Sequence, residues 1–144
     1  MKTTTMEQTE KQRKKILVVE DDKTISMALA IRLRSYGYET TVAGDSVSGL
    51  ETARKIRPDL VLLDISLPAG NGFVVAERIQ MLIPTPTPMI FLTASTQPGL
   101  REKAKELGAA AFFQKPYDAD DLRGAVQLAL AGPPVIEERR VYQL

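Results

Sequence analysis

Two apolar runs of this sequence end in acidic residues. Glu20-Asp21-Asp22 follows the run Ile16–Val19, and Asp64 follows the run Leu60–Leu63. If both runs are strands of one parallel sheet, their carboxylates meet at a single edge. Two carboxylates about 4 Å apart repel by roughly 4 kcal/mol at a protein-like dielectric, and a divalent cation bound between them offsets that repulsion. The pattern therefore predicts a site for Mg²⁺.

A hydroxyl and an ammonium stand at equivalent positions after two later apolar runs, which end in Thr93 and Lys115. The ammonium favours the ionised form of a nearby Asp64. An ionised carboxylate needs no general base to attack phosphorus and form an aspartyl phosphate. Phosphoryl transfer requires mainly positioning and neutralisation of charge, which a metal, a lysine and a hydroxyl supply. Pro116 follows Lys115 and makes a cis peptide bond accessible there.

Apolar runs alternate with helical patterns through most of the chain, which predicts five strands and five helices. The predicted strands are about Lys15–Glu20, Glu39–Ala43, Asp59–Leu63, Met89–Thr93 and Ala111–Gln114. The predicted helices are about Lys23–Tyr36, Ser46–Ile56, Gly72–Leu82, Pro98–Gly108 and Asp118–Ala131. Strand–helix alternation with runs apolar on both faces predicts an α/β fold, a single doubly wound parallel sheet.

The first helix carries two finer predictions. Its core-facing residues are expected at helical spacing, at Ile25, Ala28, Leu29, Leu33 and Tyr36. Asp22 precedes the helix directly and is predicted to cap its N-terminus rather than to bind a metal.

Length and composition are those of one soluble globular domain, with 144 residues, 44% hydrophobic and 26% charged. Residues 1–14 are predicted to form a flexible polar tail, residues 15–131 the domain, and residues 132–144 a C-terminal tail or linker. The formal charge of +1 gives no reason to expect nucleic acid or a membrane surface as a partner.

The chain contains neither cysteine nor histidine. Disulfides, thiolate catalysis and histidine acid–base chemistry are therefore excluded within it, and any metal should prefer oxygen ligands, as Mg²⁺ does. No apolar stretch reaches the length of about 18 residues that a membrane span needs, so a cytoplasmic location is expected.

Taken together, these segments resemble the receiver domain of two-component response regulators from about Lys15 to Ala131. The likeness rests on five segments in order, ILVVEDD at 16–22, VLLDISLP at 61–68, Gly72-Phe73, FLTA at 91–94 and Lys115-Pro116-Tyr117. The resemblance implies a flavodoxin-like sheet in strand order 2-1-3-4-5, flanked by five helices.

The resemblance also implies a role for each residue of the site. Asp64 would be the phospho-acceptor. Mg²⁺ would be bound by Asp21, Asp64 and the backbone carbonyl of Ser66, with Glu20 acting through water. The roles of stabilising the phosphoryl group and transmitting its presence would fall to Thr93, Lys115 and Phe112.

Phosphorylation would draw Thr93 toward Asp64, and Phe112 would turn into the space that Thr93 leaves. This would change the face formed by helix four, strand five and helix five, through which a downstream protein would be bound. The phosphoryl donor would be a sensor histidine kinase or a histidine phosphotransfer protein. The chain would not be an enzyme beyond catalysing phosphoryl transfer to and hydrolysis from Asp64. Phe112 lacks the hydroxyl of the tyrosine that is often found at this position.

Three other interpretations compete with this one. A phosphohydrolase similar to the haloacid dehalogenase family would need a second aspartate two residues after Asp64, where Ser66 stands. A nucleotide-binding domain would need a glycine-rich strand–helix fingerprint, which the sequence lacks. A receiver that docks proteins independently of phosphate would bind its partner equally in both phosphorylation states.

Overall fold

Five strands alternate with five helices across residues 13–66 and 71–132, the part of the chain that the computed structural model describes. The strands are β1 (Lys15–Val19), β2 (Glu39–Ala43), β3 (Leu60–Asp64), β4 (Met89–Thr93) and β5 (Ala111–Gln114). The helices are α1 (Lys23–Ser35), α2 (Ser46–Ile56), α3 (Gly72–Leu82), α4 (Leu100–Glu106) and α5 (Ala119–Ala131). The tails predicted for residues 1–14 and 132–144 lie outside the described residues except for 13, 14 and 132.

All five strands are parallel and lie in the order β2-β1-β3-β4-β5, as predicted. The chain passes from β1 outward to β2 and then crosses back to β3, so β1 pairs with strands on both sides. In a sheet of this kind the crevice for ligands opens at that reversal, beyond the carboxyl ends of the strands. The topology therefore places the ends of β1 and β3 side by side.

The sheet buries one apolar cluster on each face. On one face α2, α3 and α4 cover a cluster that contains Phe73 and Phe91, whose rings lie 5.0 Å apart. On the other face α1 and α5 cover a cluster that contains Leu33 and Leu62. Each fully buried side chain of this size stabilises the fold by about 1.5–3 kcal/mol, so the strand ends are held by a rigid sheet. No helix within the described ranges is long and apolar enough to cross a bilayer.

The core-facing stripe of α1 differs from the prediction at two of its five positions. Ile25, which is 38% exposed, and Ala28 face solvent. The buried positions are Ser26, Leu29, Ala30 and Leu33. Serine is accommodated there because its hydroxyl donates to the carbonyl of Lys23 at 3.2 Å, which satisfies a buried polar group.

Two helix starts depend on the residue that precedes the helix. The Asp22 carboxylate accepts a hydrogen bond from the Ile25 N–H at 3.1 Å, so its predicted capping of α1 is confirmed. The prediction that Pro98 lies in the first turn of α4 is wrong. Gly99 adopts φ +88°, a left-handed conformation that breaks the helical path, and α4 begins only at Leu100.

Gly72 lets the backbone of α3 approach the end of β3. The Asn71 side chain caps α3, and the Gly72 N–H donates to the carbonyl of Ile65 at 2.9 Å. A β-carbon on Gly72 would overlap the carbonyl oxygen of Asp64 and lie 2.8 Å from the Ile65 α-carbon. Because both neighbours are backbone atoms, they cannot rotate away, and only glycine fits here.

We predict that Gly72→Ala lowers the free energy of unfolding by about 1–3 kcal/mol, because the new methyl group forces the backbone at Asp64 to move. Gly124→Ala is the matched control, since a β-carbon at this helical position of α5 meets nothing within 4 Å. That control should gain about 0.5–1 kcal/mol. Urea unfolding of both variants tests the prediction, and equal changes in the two would contradict it.

Candidate functional site

The carboxyl ends of four strands bring the predicted side chains to one edge of the sheet. Glu20 and Asp21 follow β1, Asp64 ends β3, Thr93 ends β4, and Lys115 follows β5. Because β1 pairs with β3, and Val19 lies beside Leu63 in that register, the acids of the two strands are neighbours.

Three carboxylates converge beyond β1 and β3. Glu20, Asp21 and Asp64 each offer an oxygen, and these oxygens all lie within 4.8 Å of one another. Glu20 is only 4% exposed and Asp64 only 6%, whereas Asp21 faces solvent. Backbone groups orient the two buried carboxylates, because the Ser66 N–H donates to Asp64 Oδ1 at 2.9 Å and the Asp22 N–H donates to Glu20 Oε2 at 3.3 Å.

Lys115 reaches into this cluster from the far strand. Its Nζ lies 2.6 Å from Glu20 Oε1 and 3.5 Å from Asp64 Oδ2. Burial lowers the pKa of Lys115, but the hydrogen bond to Glu20 and the charge of Asp64 outweigh it and raise the pKa above its ordinary 10.5. The side chain is therefore fully protonated at neutral pH. The Lys115–Pro116 peptide bond is cis, the form that the sequence makes accessible.

The surroundings of Glu20 oppose its ionisation. Burial raises the pKa of this carboxyl above its ordinary 4.5, the bond from Lys115 acts in the opposite direction, and the nearby Asp64 raises the pKa further. Burial is the largest of these influences, so the pKa of Glu20 is raised even though an ammonium contacts it directly.

Thr93 is completely buried at the end of β4. Its Oγ accepts a hydrogen bond from the Ser95 N–H at 3.0 Å. A hydroxyl that accepts in this way still has its own hydrogen to donate. Thr93 thus offers a donor at the edge of the sheet where the carboxylates meet.

Phe112 lies in β5 beside Phe91 of β4, on the sheet face that α4 covers. Thr93 is two residues beyond Phe91 and therefore shares that face. Phe112 is only partly buried, and the Arg101 guanidinium lies over its ring with 4.8 Å from Cζ to the ring centroid.

Sequence reasoning missed three features of this site. It placed Lys115 beside Asp64, but the shorter contact is with Glu20. It found Gly72 only as part of a family motif, although the close approach to the Asp64 carbonyl is the physical reason for glycine there. It gave no indication of Arg101 over Phe112, because a cation–π pair between two elements leaves no periodic signal.

The donor set suits a hard divalent cation. Carboxylate oxygens are the ligands that Mg²⁺ prefers, and three carboxylates face a single ammonium, so two negative charges stay uncompensated when all four groups are ionised. Like charges at 4.8 Å repel by about 3 kcal/mol at an effective dielectric of 20. The acidic cluster can hold a metal ion that relieves this repulsion.

Known proteins with similar sequences point to a single family. Residues 16–127 match the family described as response regulator receiver domain. The chain is 37% identical over 119 residues to the transcriptional regulatory protein PdtaR of Mycobacterium tuberculosis, covering 82% of this chain and 57% of that protein. It is 36% identical over 113 residues to sporulation initiation phosphotransferase F of Bacillus subtilis, covering 78% of this chain and 90% of that protein. The chain thus spans about half the length of PdtaR but most of the shorter relative.

Solved structures agree with the fold. A CheY-like response regulator receiver domain protein from Methanospirillum hungatei has a TM-score of 0.78 at 28% identity, with coverage of 83% of this chain and 95% of that chain. The non-phosphorylated HemR receiver domain from Leptospira biflexa has a TM-score of 0.77 at 32% identity, with coverage of 85% and 98%.

We predict opposite effects for two substitutions in metal-free protein. Lys115→Met leaves the buried Glu20 and Asp64 without a cation and should lower the free energy of unfolding by about 2–4 kcal/mol. Asp64→Asn removes one of the repelling charges, keeps an oxygen for the Ser66 N–H, and should raise it by about 1–2 kcal/mol. Urea unfolding in EDTA measures both. A Lys115→Met variant as stable as the parent, or a destabilised Asp64→Asn variant, would refute this electrostatic description.

Proposed function

The chain belongs to the response regulator receiver domain family of two-component signalling, and from that premise we propose that it is a phosphorylation-dependent signalling switch whose phospho-acceptor is Asp64. The observation that carries the proposal is the position of that carboxylate. It is buried, lies beside two further acids that suit a divalent cation, and has a lysine ammonium 3.5 Å from Oδ2. Glu20 is also buried in this cluster, but the Lys115 ammonium pairs with it at 2.6 Å, so Asp64 is the less tightly paired of the two buried carboxylates.

The proposed reaction is a direct transfer. An oxygen of the Asp64 carboxylate attacks the phosphorus of a phosphohistidine, the P–O bond forms, the P–N bond breaks, and the imidazole leaves with the electron pair. Lys115 faces the negative oxygens of the transferred group, and the free hydroxyl hydrogen of Thr93 is available to donate to one of them. In the second half of the cycle, water attacks the same phosphorus, the bond between phosphorus and the Asp64 oxygen breaks, and inorganic phosphate leaves, which regenerates the carboxylate.

Mg²⁺ fits the oxygen donors beside Asp64. We assign its binding to Asp21, Asp64 and the Ser66 backbone carbonyl, with Glu20 interacting through water. The bound cation supplies neutralisation of the charge on the phosphoryl oxygens. Exposure of Asp21 leaves room for the water ligands that Mg²⁺ retains.

A sensor histidine kinase or a histidine phosphotransfer protein is the proposed donor. These 144 residues contain no histidine, so the phosphohistidine must come from outside them. One relative is itself called a sporulation initiation phosphotransferase, which supports a phosphorelay role. We place this exchange in the cytoplasm, and neither nucleic acid nor a membrane is expected to bind the described domain.

The proposed output follows the switch at Thr93 and Phe112. When Thr93 donates to the phosphoryl group, Phe112 turns toward the space beside β4, and the α4–β5–α5 surface changes shape. A downstream protein would read that surface. A switch of this kind needs a local change of charge and an element with two stable positions. Phosphorylation of Asp64 would supply the first, and the Phe112 ring would be the second.

We predict that the 144-residue protein, incubated with Mg²⁺ and a small acyl phosphate, gains the mass of one phosphoryl group. Asp64→Asn should abolish the gain, and EDTA should abolish it as well. Lys115→Met should slow it at least tenfold, because a charge-stabilising group is lost. Intact-protein mass spectrometry over time measures all four.

Asp45→Asn is the matched control for the loss of an aspartate at the same edge of the sheet. Asp45 caps α2 by accepting from the Ser48 N–H at 2.7 Å, and asparagine caps equally well. This variant should be phosphorylated at the parent rate. No mass gain in the parent protein would refute the proposal, and rapid multiple turnover of an ordinary phosphomonoester would favour a phosphohydrolase instead.

A further inference from the structure

Arg101 makes a specific contact with the ring of Phe112. Its guanidinium lies over that ring at 4.8 Å, although Arg101 itself is exposed on the first turn of α4. Within residues 13–66 and 71–132 Arg101 forms no salt bridge. The face of the Phe112 ring is therefore the group with which this cation pairs.

The ring that Arg101 covers is less buried than its neighbour in the sheet. Phe91, its neighbour in register, is 1% exposed, while Phe112 stays partly exposed on the same sheet face. A phenylalanine has no hydroxyl to bond solvent, so apolar burial alone would favour a more inward position. A cation over the ring face is an attraction that operates only in the outward position and opposes that tendency.

We propose that Arg101 is a positioning residue that holds Phe112 outward and thereby opposes phosphorylation-dependent activation at Asp64. The inference rests on the proposed function, because it assumes that Phe112 turns inward when Asp64 carries a phosphoryl group. Arg101 is proposed to act only through the ring, since it forms no salt bridge with Glu20, Asp21 or Asp64.

The consequence for ligand binding follows from linkage. If the outward state predominates in the free protein and a phosphoryl mimic at Asp64 binds the inward state, an interaction that stabilises the outward state weakens mimic binding by the same factor. A cation–π contact at an exposed site corresponds to about a two- to fivefold change in an equilibrium. Loss of the guanidinium should therefore increase the affinity for the mimic by about that factor.

The test is a ¹⁹F NMR titration of the 144-residue protein with beryllofluoride in saturating Mg²⁺. Arg101→Gln, which keeps length and polarity but removes the charge, should bind the mimic about two- to fivefold more tightly than the parent. Arg101→Lys restores a cation and should return the affinity toward the parent value. In a Phe112→Leu background, Arg101→Gln should have no effect, because the ring that it acts through is absent.

Arg123→Gln is the matched control. Arg123 also lies over an aromatic ring, 4.1 Å from the centroid of Tyr36, but on the opposite face of the sheet. It should leave the affinity unchanged.

Unchanged or weaker binding by Arg101→Gln would overturn the inference, as would an equal gain in the Phe112→Leu background. Failure of the proposed function has a different signature, namely no adduct in the parent protein or an adduct that survives Asp64→Asn, and either result would overturn both proposals. Because Arg101 is exposed, the variants should fold, and their unliganded melting temperatures confirm this.

Discussion

The rest of this structure depends on the repulsion between two carboxylates that are buried side by side, with a third carboxylate at the edge of the site. Glu20 and Asp64 are almost inaccessible to water, yet their oxygens lie within 4.8 Å of each other and of Asp21. Lys115 compensates part of this negative charge. Its ammonium lies closer to Glu20 than to Asp64, so Asp64 is the less tightly paired of the two buried acids. Such a site can hold a further positive charge, and under the proposed function Asp64 is the carboxylate that reacts.

The parallel sheet makes such an arrangement sustainable. The acids come from β1 and β3, and the lysine follows β5 at the edge of the sheet, so groups 95 residues apart in sequence meet at one point. Apolar clusters on both faces fix the strands, which prevents the repelling side chains from relaxing apart. Gly72 completes this support, since its missing side chain lets α3 begin directly against the backbone of Asp64.

Much of this arrangement could be read from the sequence because strong local patterns control it. Apolar runs bounded by glycine and proline gave the five strands within one residue, and the strand-end rule brought the acids, Thr93 and Lys115 to one edge. Family resemblance added the strand order, which the structure confirms.

The errors arose where tertiary contacts decide the outcome. Apolar spacing alone placed Ile25 in the core, but the packing of α1 turns Ser26 inward instead. Proline favours a first helical turn, but the left-handed Gly99 that follows Pro98 delays α4. No periodic pattern in the sequence indicates that Lys115 pairs more closely with Glu20 than with Asp64, or that Arg101 stacks on Phe112. Both contacts depend on distances between separate elements of the fold.

The most direct test of the central claim is a crystal structure of the protein with Mg²⁺ and beryllofluoride. We predict beryllium bonded to an Asp64 carboxylate oxygen, Mg²⁺ among Asp21, Asp64 and the Ser66 carbonyl, and the Lys115 ammonium moved from Glu20 to a fluoride. An adduct bound elsewhere, or a Lys115 that keeps its 2.6 Å contact with Glu20 while Asp64 carries the mimic, would contradict the account.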